Sequence, residues 1–121
     1  MAKSILAVDD SKTMRDMVSF TLRGAGYTVI EADNGNTALQ ALKTQKVDVI
    51  ITDVNMPEMD GITLTKRIRG LPQHAGTPIL ILTTESDQSK KDEGRAAGAT
   101  GWIVKPFSPD KLLQIVAKVC P

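Results

Sequence analysis

The stretch Val-Asp-Val-Ile-Ile-Thr at residues 47–52 decides the fold class of this chain. It is almost wholly apolar, it is rich in β-branched residues, and Asp53 follows it directly. A strand without alternating polar residues is typical of the centre of a parallel sheet that helices cover on both faces. We therefore predict a central parallel strand at 47–52, with Asp53 at its carboxyl end.

Outward from this strand, short apolar runs alternate with longer segments whose apolar residues recur at helical spacing. The other predicted strands are 5–8, 28–32, 78–83 and 101–104. Helices are predicted to begin near Ser11, after the turn 33–36, at Ile62, at Gln88 and after the cap residue Ser108. This alternation predicts a doubly wound α/β domain, in which a five-stranded parallel sheet with five helices and right-handed crossovers forms a flavodoxin-like (βα)5 arrangement.

Two of the predicted helices carry further expectations. The first has one face that carries Met14, Met17, Val18, Thr21 and Leu22. The fourth, 88–97, is unusually polar and contains Gly94. It is predicted to be the least stable element, because it offers little apolar surface for packing.

The composition excludes several classes of function. With 121 residues, 41% of them hydrophobic, the chain is typical of one globular domain spanning 1–121, and we expect its output to come from its own surface. The net charge of +1 is too small for sequence-independent binding of nucleic acid. The amino-terminal apolar stretch ends at Asp9, too early for a signal peptide or membrane span, and Cys120 is a lone cysteine. We therefore expect a cytoplasmic monomer without nucleic-acid or membrane partners.

Polar side chains stand where the predicted strands end. They are Asp9 and Asp10 after the first strand, Asp53 after the third, Thr83 at the end of the fourth and Lys105 after the fifth. In open parallel sheets, ligands bind beyond the carboxyl ends of the strands, where the strand order reverses. Three carboxylates crowded there would repel one another, and Mg²⁺ would remove the repulsion because it prefers oxygen ligands. The sequence contains no cluster of His or Cys that would favour zinc.

The same residues suit the transfer of a phosphoryl group. Asp53 lies on the central strand, where its carboxylate can attack phosphorus and form an aspartyl phosphate. The ammonium group of Lys105 and the hydroxyl of Thr83 would offset the negative charge of the phosphoryl group on the side away from the metal. We therefore predict that Asp53, Lys105 and Thr83 are the catalytic residues of a phosphoryl transfer onto Asp53.

Two other classes of protein gather similar features. A metal-dependent phosphohydrolase would use Asp9 as its nucleophile, but such enzymes place a second acid two residues later, where this chain has Ser11. A flavodoxin-type electron carrier shares the fold class but needs a hydroxyl- and glycine-rich loop after the first strand. Asp9 and Asp10 would repel the flavin phosphate at that position.

Four segments resemble response-regulator receiver domains, in the right order and over essentially the whole chain. They are Val-Asp-Asp-Ser at 8–11, Asp-Val-Asn-Met-Pro-Glu-Met-Asp-Gly at 53–61, Leu-Thr-Thr at 82–84 and Lys-Pro-Phe at 105–107. The resemblance implies a signalling switch that promotes its own phosphorylation and dephosphorylation, with Asp53 as the phosphorylated residue. It also implies that Mg²⁺ binds the side chains of Asp10 and Asp53 and the main-chain carbonyl of Asn55, while Asp9 holds a metal-bound water.

The resemblance also identifies the residues that respond to phosphorylation. It implies that Thr83 swings toward the phosphoryl group and hydrogen-bonds it, that Lys105 forms an ion pair with it, and that a cis peptide bond joins Lys105 to Pro106. Trp102 stands where the family usually has a tyrosine or phenylalanine that moves inward on activation. Because indole is larger and carries an N–H donor, a static, half-exposed tryptophan is the alternative.

Three further residues carry predictions about the surroundings of the site. Asn55 and Glu85 lie two residues beyond Asp53 and Thr83, and we expect them to admit the water that hydrolyses the acyl phosphate. The alternative for Glu85 is an acid in the first turn of a helix, favoured by the helix dipole. His74 is predicted to be a surface loop residue with no part in the reaction.

Within the family, the chain looks most like the single-domain chemotaxis regulators. This likeness implies phosphorylation by a histidine kinase of the chemotaxis type. Phosphorylation would shift a pre-existing equilibrium and change the surface formed by the fourth helix, the fifth strand and the last helix. The implied target is the flagellar motor switch protein or another protein, and a phosphate sink or a phosphorelay intermediate are alternatives with the same fold.

Overall fold

The sheet of this protein contains five parallel strands in the order β2-β1-β3-β4-β5. The computed structural model describes residues 2–120, so Met1 and Pro121, the two ends of the predicted domain 1–121, lie outside the described residues. The strands are β1 (Ser4–Val8), β2 (Thr28–Ala32), β3 (Val49–Thr52), β4 (Ile79–Thr83) and β5 (Gly101–Val104). The predicted central position of the third strand is therefore confirmed.

Five α-helices connect and cover the strands. They are α1 (Lys12–Gly24), α2 (Gly35–Thr44), α3 (Gly61–Arg69), α4 (Gln88–Ala97) and α5 (Pro109–Val119), and a short 3₁₀ helix, Pro72–His74, precedes β4. The side chain of the residue before each α-helix accepts a main-chain N–H of the first turn; these caps are Ser11, Asn34, Asp60, Asp87 and Ser108. Within residues 2–120, every helix is too short or too polar to cross a membrane.

Alternate residues of the central strand face two separate apolar clusters. Ile51 belongs to the cluster that contains Leu22 of α1 and Leu112 of α5. Its neighbour Ile50 belongs to the cluster that contains Leu42 of α2 and residues of α3. Since helices cover both faces, β3 has no solvent-facing side that would select polar residues. This arrangement confirms the predicted doubly wound α/β fold.

The central strand begins two residues later than predicted, at Val49 rather than Val47. The reason lies in Asp48, whose Oδ2 accepts the main-chain N–H of Ser4 at 2.8 Å. The main-chain N–H of Asp48 in turn donates to the main-chain oxygen of Ser4 at 2.8 Å. The side chain thus takes part in the entry to the sheet, and Val47 is buried although it lies outside the strand.

Only part of the predicted face of α1 is buried. Val18 and Leu22 are buried, and Ser19 is buried beside them. Met17 belongs to the same predicted face, but it is 44% exposed. It lies at the edge of the apolar stripe, where it lines a surface groove with Phe107 and other residues instead of packing against the sheet.

Candidate functional site

The candidate site lies at the carboxyl ends of β1 and β3. These strands are neighbours, with Val8 paired to Thr52, and Asp9 and Asp53 follow them directly. The main-chain N–H of Asp53 donates to the oxygen of Val8 at 3.2 Å, so the two strand ends stay in register. The strand order reverses between β1 and β3, which opens a crevice at this edge of the sheet.

Three carboxylates meet in this crevice and form what we call the acidic cluster, Asp9, Asp10 and Asp53. One carboxylate oxygen of each residue lies within 4.8 Å of the others. Asp9 is buried, Asp53 is partly buried and Asp10 is exposed, so the cluster opens to solvent on one side. Several oxygen ligands at this spacing, with one side open for water, fit the coordination that Mg²⁺ prefers.

Lys105 supplies the positive charge of the site. Its Nζ lies 3.2 Å from Oδ2 of Asp53 and 3.3 Å from Oδ2 of Asp9, and its side chain is only 11% exposed. The main-chain N–H of Lys105 donates to the main-chain oxygen of Thr83 at 2.7 Å. This bond holds the end of β5 beside the end of β4. The bond between Lys105 and Pro106 is cis, as the sequence resemblance implies.

The carboxylate of Asp53 is held on both sides. Its Oδ1 accepts the main-chain N–H of Val54 at 2.6 Å and that of Asn55 at 3.4 Å, while Oδ2 faces Lys105. Gly61, at the start of α3, packs against the main chain of Asp53 so closely that a Cβ there would overlap the main-chain oxygen. Gly61, the last residue of the 53–61 motif, must therefore lack a side chain.

The surroundings of Asp9 change the ionisation of its carboxyl. Burial raises the pKa of the Asp9 carboxyl above its ordinary value, and the charge of Asp53 acts in the same direction. The main-chain N–H of Ser11, which donates to Oδ1 at 2.9 Å, and the ammonium group of Lys105 offset only part of this effect. A neighbouring divalent cation would favour the charged form of this carboxyl.

Thr83, Glu85 and Trp102 form a second group of contacts beside the cluster. The buried hydroxyl of Thr83 accepts the main-chain N–H of Glu85 at 3.2 Å. Nε1 of Trp102 donates to the main-chain oxygen of Glu85 at 2.9 Å, so the partly buried indole has the partner that it needs. Glu85 lies before the cap residue Asp87 rather than in the first turn of α4, and its Oε1 accepts the N–H of Asp87 at 3.3 Å.

The structure therefore places the predicted site residues in two connected groups. Asp9, Asp10, Asp53 and Lys105 converge directly, and exposed Asn55 joins them through its main-chain N–H. Thr83 connects the two groups, because its main chain binds Lys105 and its hydroxyl binds the Glu85 main chain, next to Trp102.

The prediction for His74 is wrong in one respect. Its side chain is 1% exposed, not a surface group, and Nδ1 lies 3.1 Å from the hydroxyl of Thr77. The loop folds into the 3₁₀ helix, which turns the imidazole inward just before the amino end of β4. His74 thus lies away from the carboxyl edge of the sheet that carries the site.

Sequence reasoning also missed Arg15, whose Nη1 donates to the main-chain oxygen of Asp9 at 2.7 Å. The only available signal was a basic residue one turn into the helix that follows Asp9 and Asp10.

Comparison with known proteins identifies the family. The family model for the response regulator receiver domain matches residues 5–117. The chain belongs to this family. A chemotaxis protein CheY homolog of Campylobacter jejuni is 42% identical to this receiver domain over 112 residues, which cover 91% of the chain and 86% of the relative.

Solved structures agree with this assignment. The chemotaxis protein CheY4 of Vibrio cholerae shares 50% identity with this receiver domain and has a TM-score of 0.95, covering 98% of this chain and 99% of that one. The receiver domain of a sensor histidine kinase from Pseudomonas aeruginosa, solved with a magnesium ion coordinated in the active-site cleft, is 28% identical with a TM-score of 0.92. The two chains are covered to 99% and 98%.

The predicted resemblance and the receiver fold are thus confirmed. The chain is a CheY-like receiver domain, and receiver domains of this type are signalling switches of two-component systems. CheY is itself a standard example of the rule that places ligands where the strand order reverses, so the position of the site is characteristic of the fold.

Proposed function

We propose that this receiver domain takes a phosphoryl group from a histidine kinase of the chemotaxis type onto Asp53, with Mg²⁺ bound at the acidic cluster. The proposal rests on one observation: three carboxylates and the Nζ of Lys105 converge at the carboxyl edge of the sheet. This arrangement supplies a nucleophile, oxygen ligands for a cation and a fixed positive charge, which phosphoryl transfer requires.

In this proposal the metal is held by the carboxylates of Asp10 and Asp53 and the main-chain carbonyl of Asn55, and Asp9 holds one of its waters. The open side of the cluster at Asp10 leaves room for such waters. The magnesium ion coordinated in the active-site cleft of the Pseudomonas aeruginosa receiver domain supports Mg²⁺ as the ion bound here. When bound, Mg²⁺ would supply positive charge that offsets the charge of the incoming phosphoryl group.

The reaction itself exchanges one bond to phosphorus for another. A carboxylate oxygen of Asp53 forms the new bond, and the bond to the imidazole nitrogen of the kinase breaks. Lys105, already 3.2 Å from Asp53, would move from the carboxylate to the transferred group as an ion pair. The hydroxyl of Thr83 would donate a hydrogen bond to a phosphoryl oxygen, which adds a third source of charge stabilisation beside Mg²⁺ and Lys105.

The switch would operate through the contacts between Thr83, Glu85 and Trp102. In the unphosphorylated chain, the Thr83 hydroxyl accepts the N–H of Glu85, and turning toward a phosphoryl group would release that bond. Trp102 holds the main-chain oxygen of the same residue, so the change would reach β5 and α4. The altered surface of α4, β5 and α5 would then bind a partner such as the flagellar motor switch protein.

The phosphorylated state would be short-lived. Asn55 is exposed beside Asp53, and its side chain leaves the acyl phosphate open to water. Glu85 would contribute by orienting that water, although its carboxylate binds the N–H of Asp87 in the unphosphorylated chain.

Labelled acetyl phosphate, added with and without Mg²⁺, tests the chemistry. Label on Asp53 that depends on Mg²⁺ and is lost in Asp53→Asn is the expected result. Label on Asp9 would instead indicate the phosphohydrolase reaction, and equal labelling of Asp53→Asn would contradict the proposal.

The output is tested separately, by measuring binding of a flagellar motor switch protein to the phosphorylated and unphosphorylated chain. Tighter binding after phosphorylation is expected. Equal binding, together with rapid loss of phosphate from the kinase, would favour a phosphate sink.

A further inference from the structure

We propose that Arg15 is a positioning residue for the acidic cluster, which fixes the peptide between Asp9 and Asp10 so that both carboxylates point into the magnesium site. The inference rests on the proposed magnesium-dependent phosphorylation of Asp53. Arg15 does not itself contact the metal or the phosphoryl group in this account. It acts through the main chain that carries two of the three acids.

The contact that carries this inference is short and specific. Nη1 of Arg15 donates to the main-chain oxygen of Asp9 at 2.7 Å. That carbonyl belongs to the planar peptide that joins Asp9 to Asp10, at the point where the chain leaves β1 and bends. Because the peptide is rigid, fixing its oxygen also fixes the N–Cα bond of Asp10 and leaves the direction of the Asp10 side chain to rotation about that one bond.

The guanidinium group is itself held from a second side. Nε of Arg15 lies 3.2 Å from Oε1 of Glu31, which belongs to β2, and the Arg15 side chain is only 16% exposed. A planar guanidinium that is bound at Nε has little freedom left at Nη1, so the pair with Glu31 sets the direction of the bond to Asp9. Arg15 therefore ties the exit of β1 to the neighbouring strand.

The same surface offers a matched comparison in Arg23. It also lies on α1 and also pairs with Glu31, with 3.4 Å between Nη2 and Oε2. Its second bond goes to the main-chain oxygen of Val29 at 3.1 Å, away from Asp9 and Asp10. Arg23 thus shares the residue type, the helix and the acidic partner of Arg15, but not the contact with the acidic cluster.

The direction in which the Mg²⁺ affinity changes when Arg15 is removed distinguishes a positioning role from a purely electrostatic one. A positive charge near the cluster repels Mg²⁺, so removal of the Arg15 charge would by itself tighten metal binding. If Arg15 orients the ligands, its removal weakens binding instead. Loss of a residue that orients metal ligands commonly lowers metal affinity by about tenfold or more.

Calorimetric titration of Mg²⁺ into the unphosphorylated full chain tests the inference. We expect Arg15→Ala to raise the dissociation constant for Mg²⁺ by about tenfold. Arg23→Ala is expected to bind Mg²⁺ as the parent does. Thermal unfolding of each variant shows whether it is folded at the temperature of the titration.

Arg15→Lys provides a second test if Arg15→Ala does not fold. Lysine keeps the positive charge, but its single ammonium group cannot reproduce the planar two-sided hold on Glu31 and Asp9. We expect Mg²⁺ affinity between those of the parent and Arg15→Ala, with Arg23→Lys unchanged. Parent-like or tighter binding in the folded Arg15 variants would overturn the inference, as would equal losses in the Arg15 and Arg23 variants. A parent chain that binds no Mg²⁺ would contradict the proposed function and this inference with it.

Discussion

The six-membered ring of Trp102 packs directly against the backbone of Gly94 in α4. A Cβ built on Gly94 would stand 2.8 Å from Cζ3 and 3.1 Å from Cε3 of this ring. The glycine that weakens α4 by its own helix propensity therefore provides the space that a tryptophan requires at this position of β5. The large ring of Trp102 thus fits into the space left by the missing side chain of Gly94.

Gly94→Ala is expected to destabilise the protein, although alanine is the better helix former by about 1 kcal/mol. Overpacking against Trp102 and Ile81 should cost about 1–3 kcal/mol, which exceeds that gain over most of this range. Urea denaturation measures the difference. Gly24→Ala is the control, because a Cβ there meets nothing within 4 Å, and it should leave stability unchanged or slightly raised. A more stable Gly94→Ala would show that the ring moves aside without cost.

Trp102→Phe should loosen the loop before α4. The substitution removes the N–H that binds the main-chain oxygen of Glu85, a loss of about 1 kcal/mol for a typical hydrogen bond. We expect faster amide exchange at residues 84–87, measured by mass spectrometry on the unphosphorylated chain. Phe20→Ala serves as the control, since Phe20 is 81% exposed and its loss should not change exchange in this loop. Unchanged protection in Trp102→Phe would mean that the indole does not hold the loop.

Asp9→Asn should stabilise the metal-free protein while weakening its binding of Mg²⁺. Since folding raises the pKa of Asp9, chiefly through burial, the charged carboxyl opposes folding at neutral pH, and a neutral amide removes this cost. Denaturation in the presence of a chelator measures the stability. Asp16→Asn is the control. The exposed carboxylate of Asp16 pairs with Lys12, which lowers the pKa of Asp16, so this variant should show no gain in stability. Lower stability of Asp9→Asn would indicate that the pair with Lys105 outweighs burial.

His74 should make the protein less stable as the pH falls. Burial lowers the pKa of His74, so the unfolded chain takes up a proton more readily than the folded one. Its contribution to stability is therefore complete above the ordinary imidazole pKa of about 6.5 and is lost as the pH drops below that value. His74→Gln should remove this dependence, measured as the free energy of unfolding between about pH 7.5 and 5.5.

Two features make the His74 experiment interpretable. His74 is the only histidine of the chain, so imidazole titration in this range is assigned without ambiguity. The raised pKa of Asp9 acts with the opposite sign, because it makes stability fall as the pH rises. Comparison in the Asp9→Asn background isolates the histidine, and a slope that persists there after His74→Gln would refute this explanation.

Several boundaries and contacts could not be predicted, because they depend on side chains that are distant in sequence. The start of β3 depends on Asp48 binding Ser4, 44 residues earlier. The burial of His74 depends on how the 3₁₀ helix packs before β4, and the exposure of Met17 on where α1 meets the sheet. In each case, local hydrophobic periodicity is compatible with more than one rotation or end point of the element.

The sequence by itself determined the succession of strands and helices along the chain, the central strand and the polar residues that end the strands. These features follow from apolar runs, helix spacing and cap residues, which act over a few neighbouring positions. Only the tertiary structure decided that Lys105 lies between Asp9 and Asp53, that Arg15 binds the main chain of Asp9 and that Gly94 accommodates Trp102. Those contacts are fixed by strand order and by close packing between elements, and neither is a local property of the chain.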